Sequence, residues 1–158
     1  SFPDIVLGVG SVVEAPTAAS YIQLGANFVV SPVLNEEMAR VCNRRKIPWV
    51  PGCGSLTEIS RAEELGADVV KIFPASQVGG PAFVKAVLGP SPRTCIMPTG
   101  GVEPSEANLT AWFEAGVFAV GMGSKLMVKD RSGAFDAGAI QTTTESALAV
   151  ISKLRNAR

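Results

Sequence analysis

One phrase is written three times along the chain: Leu24-Gly25-Ala26-Asn27-Phe28-Val29-Val30, Leu65-Gly66-Ala67-Asp68-Val69-Val70 and Ala115-Gly116-Val117-Phe118-Ala119-Val120. Each reads as the end of a helix running into a buried strand. The glycine stands where a helix end needs a left-handed residue. The β-branched run behind it lacks polar alternation, as in a parallel strand covered on both faces. With the runs Ile5 to Val9, Ile47 to Val50 and Thr94 to Met97, this predicts strands near 5–9, 27–31, 47–50, 68–73, 94–98 and 117–121, with their ends about 20 to 25 residues apart.

Helix-start chemistry lies between these strands. Ser11-Val12-Val13-Glu14 and Ser55-Leu56-Thr57-Glu58 fit the capping box, Asn35 precedes Glu36-Glu37, and Pro104-Ser105-Glu106 opens a stretch that ends at Gly116. A last helix is expected near 138–155, burying Ala147, Leu148, Ile151 and Leu154, with 128–135 as its connecting loop. Strand and helix thus alternate six times. Right-handed βα alternation permits an open doubly wound sheet or a (β/α)8 barrel, and spacing alone does not choose between them. A barrel needs eight units and at least about 200 residues, so under that reading roughly two units are absent from these 158 residues. The expectation is a single α/β domain over 1–158.

Composition narrows the function. Fourteen Lys+Arg balance fourteen Asp+Glu, so no basic tract offers the counterion-release footprint of a nucleic-acid binder, and the scattered charges do not suit a membrane surface. No apolar run reaches the roughly 18 to 20 residues of a bilayer span. Cys42, Cys53 and Cys95 match neither a disulfide framework nor a metal-ligand spacing, from which a reducing cytoplasmic setting is expected; no cofactor is expected. The chain has no histidine. That removes Ser-His and Cys-His pairs and leaves Lys, Asp, Glu, Tyr21 and the cysteines for covalent or proton chemistry.

Lys71 stands inside the apolar run Asp68-Val69-Val70-Lys71-Ile72-Phe73-Pro74. It is either a strand-end lysine reaching solvent or a carboxylate, or an amine held among apolar walls. In the second case desolvation releases the free base, which can attack a carbonyl and form a Schiff base. Pro98-Thr99-Gly100-Gly101 and Gly121-Met122-Gly123-Ser124 end the last two strands. Their glycines either make tight turns or let backbone N–H groups approach a phosphate or carboxylate, aided by the Thr99 and Ser124 hydroxyls and a following helix start. Ser11 either caps a helix or faces the site. Pro32 and Pro51 each close a strand. Cys53 reads as a buried thiol, and Arg44-Arg45-Lys46 as a solvated helix end. Lys125 either touches a phosphate or is simply exposed.

Taken together, Gly8-Val9-Gly10-Ser11, Ser31-Pro32, Ile47-Pro48-Trp49-Val50-Pro51-Gly52, Lys71-Ile72-Phe73-Pro74-Ala75, Pro98-Thr99-Gly100-Gly101 and Gly121-Met122-Gly123-Ser124 resemble, in order and spacing, the 2-keto-3-deoxy-6-phosphogluconate (KDPG) and 4-hydroxy-2-oxoglutarate aldolases. The resemblance spans essentially the whole chain. It implies a metal-independent class I aldolase on a (β/α)8 barrel, usually a cytoplasmic homotrimer of the Entner-Doudoroff pathway, acting on a small 2-oxo acid or sugar-acid phosphate to release pyruvate and an aldehyde. It aligns the first strand with the family's third, so that units three to eight are present. The Schiff-base lysine then falls on Lys71 and the pocket aromatic on Phe73. The hydroxyl of the family's third strand falls on Ser11, and the pyruvate-side proline on Pro32. Thr99, Gly100, Gly101, Gly123 and Ser124 fall on the carboxylate and phosphate environment.

The family's first two βα units, with a proton-shuttling glutamate and a substrate-binding arginine, have no counterpart in this sequence. Glu14, Glu36, Glu58, Glu103 and Glu106 are all expected in helix starts, which leaves no substitute carboxylate. Two rival readings follow: a phosphate-binding barrel isomerase or epimerase with Lys71 as base, and a non-catalytic truncated barrel serving as an assembly scaffold.

Overall fold

The computed structural model describes residues 4–156. They form two compact units, one running to Phe73 and the other starting at Pro74.

In the first unit, β1 (Gly8–Val9), β2 (Phe28–Val30) and β3 (Trp49–Val50) form a parallel sheet in that order. Val29 sits opposite Val9 on one side and Trp49 on the other. The chain breaks at Pro51, which has no N–H to give to the ladder. β4 (Gly52–Cys53) then pairs in parallel with β5 (Val70–Ile72), Gly52 opposite Lys71 and Cys53 opposite Ile72. The strand expected at 47–50 is found as β3 at its C-terminal half, and β4, beyond Pro51, is a further short strand in a second ladder.

Helices α1 (Ala15–Gln23), α2 (Glu36–Arg45) and α3 (Leu56–Glu64) connect these strands. The Asn35 side chain accepts the Met38 N–H at 2.9 Å, and Ser55 accepts the Glu58 N–H at 3.3 Å while the Glu58 carboxylate takes the Gly54 N–H. Each such cap satisfies amides with no partner inside the helix. Lys46 closes α2 in the left-handed conformation, with Arg44 and Arg45 in the last turn, as the solvated helix end requires. The core beneath holds Val29, Met38, Cys42, Trp49, Ile59, Val70 and Ile72. Fully burying one such aliphatic side chain stabilises by about 1.5–3 kcal/mol.

The second unit contains α4 (Gly80–Leu88), β6 (Ile96–Pro98), α5 (Glu106–Glu114) and α6 (Ala137–Asn156). Leu109, Trp112 and Phe113 of α5 and Ala147 of α6 are buried where these two helices pack. Gly25, Gly66 and Gly116, the glycines of the repeated phrase, all have φ between 87° and 106°.

Three expectations are corrected. The run 117–121 is not a strand; it follows β6 through Phe118 N–H to Ile96 O at 2.9 Å, Gly121 N–H to Pro98 O at 2.9 Å and one parallel bridge between Thr99 and Gly121. Leu148 is 59% exposed, because α6 turns its neighbour Ala147 inward instead. Ser11 caps nothing: α1 starts four residues later behind Glu14, with Pro16 in its first turn.

Candidate active site

Lys71 occupies the middle of β5 between Val70 and Ile72, all three buried. The residue is 7% exposed, and desolvation by burial holds its pKa below the ordinary 10.5. Its Nζ lies 4.3 Å from the centroid of the Phe73 ring, which is itself exposed. Among the described residues of its unit no carboxylate pairs with it, so the snorkelling or ion-paired alternative does not hold there. An amine so placed spends more of its time as the free base than a surface lysine does, which is what attack on a carbonyl requires.

The neighbouring strand is shaped to approach closely. The space a Cβ would need at Gly52, opposite Lys71, is filled by the backbone carbonyl of Pro32. Pro32 is held there by Ser31, whose hydroxyl donates to Val33 O at 2.7 Å and accepts the Trp49 indole N–H at 3.3 Å. Pro32, Gly52 and Lys71 thus follow one another across the strand ends. Gly52, Ser31 and Trp49 stand in the motifs without a role read from the sequence; their contacts place them against Pro32. Cys53, beside Gly52, is buried and its thiol is pushed up to about 12 by desolvation, with Glu58 and Glu63 adding to the effect. It is an inert thiol at neutral pH.

Ser11 is exposed with φ 60°. A non-glycine residue held in this left-handed region costs about 1–3 kcal/mol, a kind of strain that concentrates at functional sites.

In the second unit the two glycine turns meet at their roots. A Cβ at Gly121 would strike the Thr99 hydroxyl, so glycine is what allows that bridge. Gly100 and Gly101 follow with φ 87° and 82°, and the Gly100 carbonyl accepts the Ser76 N–H at 3.0 Å. Two consecutive left-handed residues are prohibitive for most side chains. Gly123 and Ser124 are exposed in the second turn. The helix start expected directly after it is absent, since α6 begins only at Ala137; the first turn does lead into α5, capped by Ser105.

The five glutamates are all engaged. Glu14 accepts from Thr17, Glu36 pairs with Arg61 at 2.8 Å, and Glu58 closes its capping box. Glu103 pairs with Lys125 at 3.2 Å and Glu106 with Lys153 at 3.7 Å. Glu103 lies in the loop ahead of α5 rather than in a helix start. Among the described residues no cluster of His, Cys, Asp and Glu could hold a metal ion, and no helix is long and apolar enough to cross a membrane.

One unit carries a buried amine on a parallel strand and the other carries two glycine turns joined by a parallel bridge, both on βα elements, which defines the class of the chain as an α/β protein. The family model for KDPG and KHG aldolase matches residues 1–143, and the chain belongs to that family. It is 41% identical over 99 residues to the 2-dehydro-3-deoxy-phosphogluconate aldolase of Treponema pallidum, covering 63% of this chain and 47% of that one. A solved native KDPGal structure superposes with a TM-score of 0.85 at 27% identity, over 98% of this chain and 73% of that chain. The KDPG aldolase of Legionella pneumophila, solved with pyruvate captured as a covalent carbinolamine, gives 0.76 at 29% identity over 94% of this chain and 70% of its own. The chain spans about half the length of the curated relatives it matches.

Proposed function

We propose that the protein carrying this chain is a class I aldolase that cleaves KDPG or 4-hydroxy-2-oxoglutarate to pyruvate and an aldehyde. Residues 1–158 would supply units three to eight of a (β/α)8 barrel, as one domain of a cytoplasmic homotrimer. The observation that carries this reading is the burial of Lys71 with no carboxylate paired to it among the described residues of its unit; family membership and the carbinolamine of the Legionella relative support it.

Lys71 Nζ, as free amine, adds to the 2-oxo carbon to give a carbinolamine, which loses water to an iminium. The cationic nitrogen then draws the electron pair of the bond between carbons three and four, leaving an enamine as the 4-hydroxyl proton departs and the aldehyde forms. Protonation at carbon three and hydrolysis release pyruvate and restore the amine. Phe73 and Pro32 wall the pyruvate end, and Ser11 offers a hydroxyl. Thr99, Gly100, Gly101, Gly123 and Ser124 hold carboxylate and phosphate oxygens through backbone N–H groups and hydroxyls. Glu14, Glu36, Glu58, Glu103 and Glu106 each have another partner, and none is assigned as the base for the 4-hydroxyl. General acid–base help is worth about 10²- to 10⁴-fold, so the 158 residues alone would form the imine and turn over slowly.

The test is pyruvate release from KDPG and from 4-hydroxy-2-oxoglutarate, followed with a pyruvate-consuming dehydrogenase. Release that is abolished in Lys71→Ala supports the reading. Isomerised substrate without pyruvate would point to the isomerase, and no turnover of either compound to the scaffold.

A further inference from the structure

The Gly100–Gly101 turn is held by one side chain that none of the motifs contains. Asn108, in the first turn of α5, donates from Nδ2 to the Gly101 carbonyl at 3.2 Å and accepts the Glu103 N–H on Oδ1 at 2.9 Å. Carbonyl on one side and N–H on the other fix the amide orientation, because only a group with both a donor and an acceptor satisfies both. Asn108 N–H is in turn bonded to the Ser105 cap at 3.4 Å, which anchors the residue in the helix. The chain of contacts continues: Glu103, placed by its bond to Asn108, pairs with Lys125 at 3.2 Å and so reaches from the first glycine turn to the second.

Such a clamp has a physical purpose. Two glycines in the left-handed region have no side chains to hold them there, and glycine loses more conformational freedom on ordering than any other residue. A turn whose N–H groups are to converge on an anion must already be ordered when the anion arrives, or the ordering is subtracted from the affinity. The neighbouring Ser76 N–H holds Gly100 O, and Asn108 holds Gly101 O, so both carbonyls of the pair are directed away from a ligand on the N–H side.

We propose that Asn108 is a positioning residue that sets the affinity of the Gly100–Gly101 turn for the phosphate end of the substrate, and thereby the preference for a phosphorylated over an unphosphorylated 2-oxo acid. This rests on the aldolase reading for its substrate, but the phosphate affinity itself does not.

Two variants test it, Asn108→Ala and the near-isosteric Asn108→Asp, which still accepts from Glu103 N–H but at neutral pH cannot donate to Gly101 O. Inorganic phosphate is titrated by calorimetry against each. KM is measured for KDPG and for 4-hydroxy-2-oxoglutarate, and pyruvate imine formation is followed by borohydride trapping. Both variants should weaken phosphate binding and raise KM for KDPG by about tenfold, the equivalent of one lost hydrogen bond. KM for the unphosphorylated acid and the trapping rate should stay within about twofold, a precision that the same conversion sets at a few tenths of a hydrogen bond. A merely structural asparagine would lower all of these together, and that result overturns the proposal. So does unchanged phosphate affinity in both variants. If the wild type releases no pyruvate, the aldolase reading fails and the phosphate titration alone decides the role of Asn108.

Discussion

The ammonium nitrogen of Lys71 lies 4.3 Å from the centre of the Phe73 ring, two residues on. The pair carries two opposed effects. A ring face favours the cation by about 0.5–1 kcal/mol at an exposed site, while burial of the side chain favours the free amine. Desolvation by burial lowers the lysine pKa. Phe73→Leu keeps the apolar cover and removes the ring, so it should lower the Lys71 pKa further. Phe73→Ala admits water and should raise it. The pH dependence of pyruvate imine trapping reads both; a Leu variant that titrates above the wild type would refute the balance.

Lys71 should also cost stability. Its folded pKa is lowered, so between that value and 10.5 the unfolded chain binds more protons, and stability rises with pH across that window. Lys71→Met removes the buried amine at similar length and should stabilise by about 1 kcal/mol near neutral pH. It should also flatten the rise. Urea denaturation between pH 6 and 9 measures both effects, and a less stable Met variant would contradict the assignment.

Above pH 9 the cysteines oppose this rise. The Cys53 thiol, raised from 9.0 to about 12 in the fold, ionises first in the unfolded chain, so its contribution is complete below 9.0 and is lost as pH climbs towards 12. Burial raises Cys42 as well. Iodoacetamide at pH 8 should therefore label Cys95, which is only half-buried, well before either. Peptide mapping of the alkylated protein checks the order.

The two close-approach glycines should differ in tolerance. At Gly52 a Cβ meets the backbone of Pro32, which cannot rotate away, whereas at Gly121 it meets the Thr99 hydroxyl at the end of a side chain. Gly52→Ala should cost about 1–3 kcal/mol, the usual range for overpacking. Gly121→Ala should cost less in stability. Equal losses in denaturant titrations would show that the Pro32 contact yields.

Most of the βα order was legible because burial on both faces writes itself as unbroken β-branched runs, and because Asn35, Ser55 and Ser105 state their caps locally. Lys71 stood out for the same reason: it interrupts such a run. What the sequence concealed depends on partners distant along the chain. Ser11 has capping-box spacing, but Pro16 shifts the start of α1 to Ala15. The run 117–121 has strand composition yet makes a single bridge. α4 begins at Gly79-Gly80-Pro81 with no capping side chain to announce it. Gly52 and Asn108 look ordinary as letters and acquire roles only through the Pro32 carbonyl and the Gly101 carbonyl.

The nucleophilic role of Lys71 is tested most directly by incubating the protein with pyruvate and sodium borohydride, then mapping the product by mass spectrometry. The account predicts one carboxyethyl group, on Lys71, formed faster as pH rises from 6 to 8, and none in Lys71→Ala. An adduct on another lysine, or labelling that survives Lys71→Ala, would contradict it.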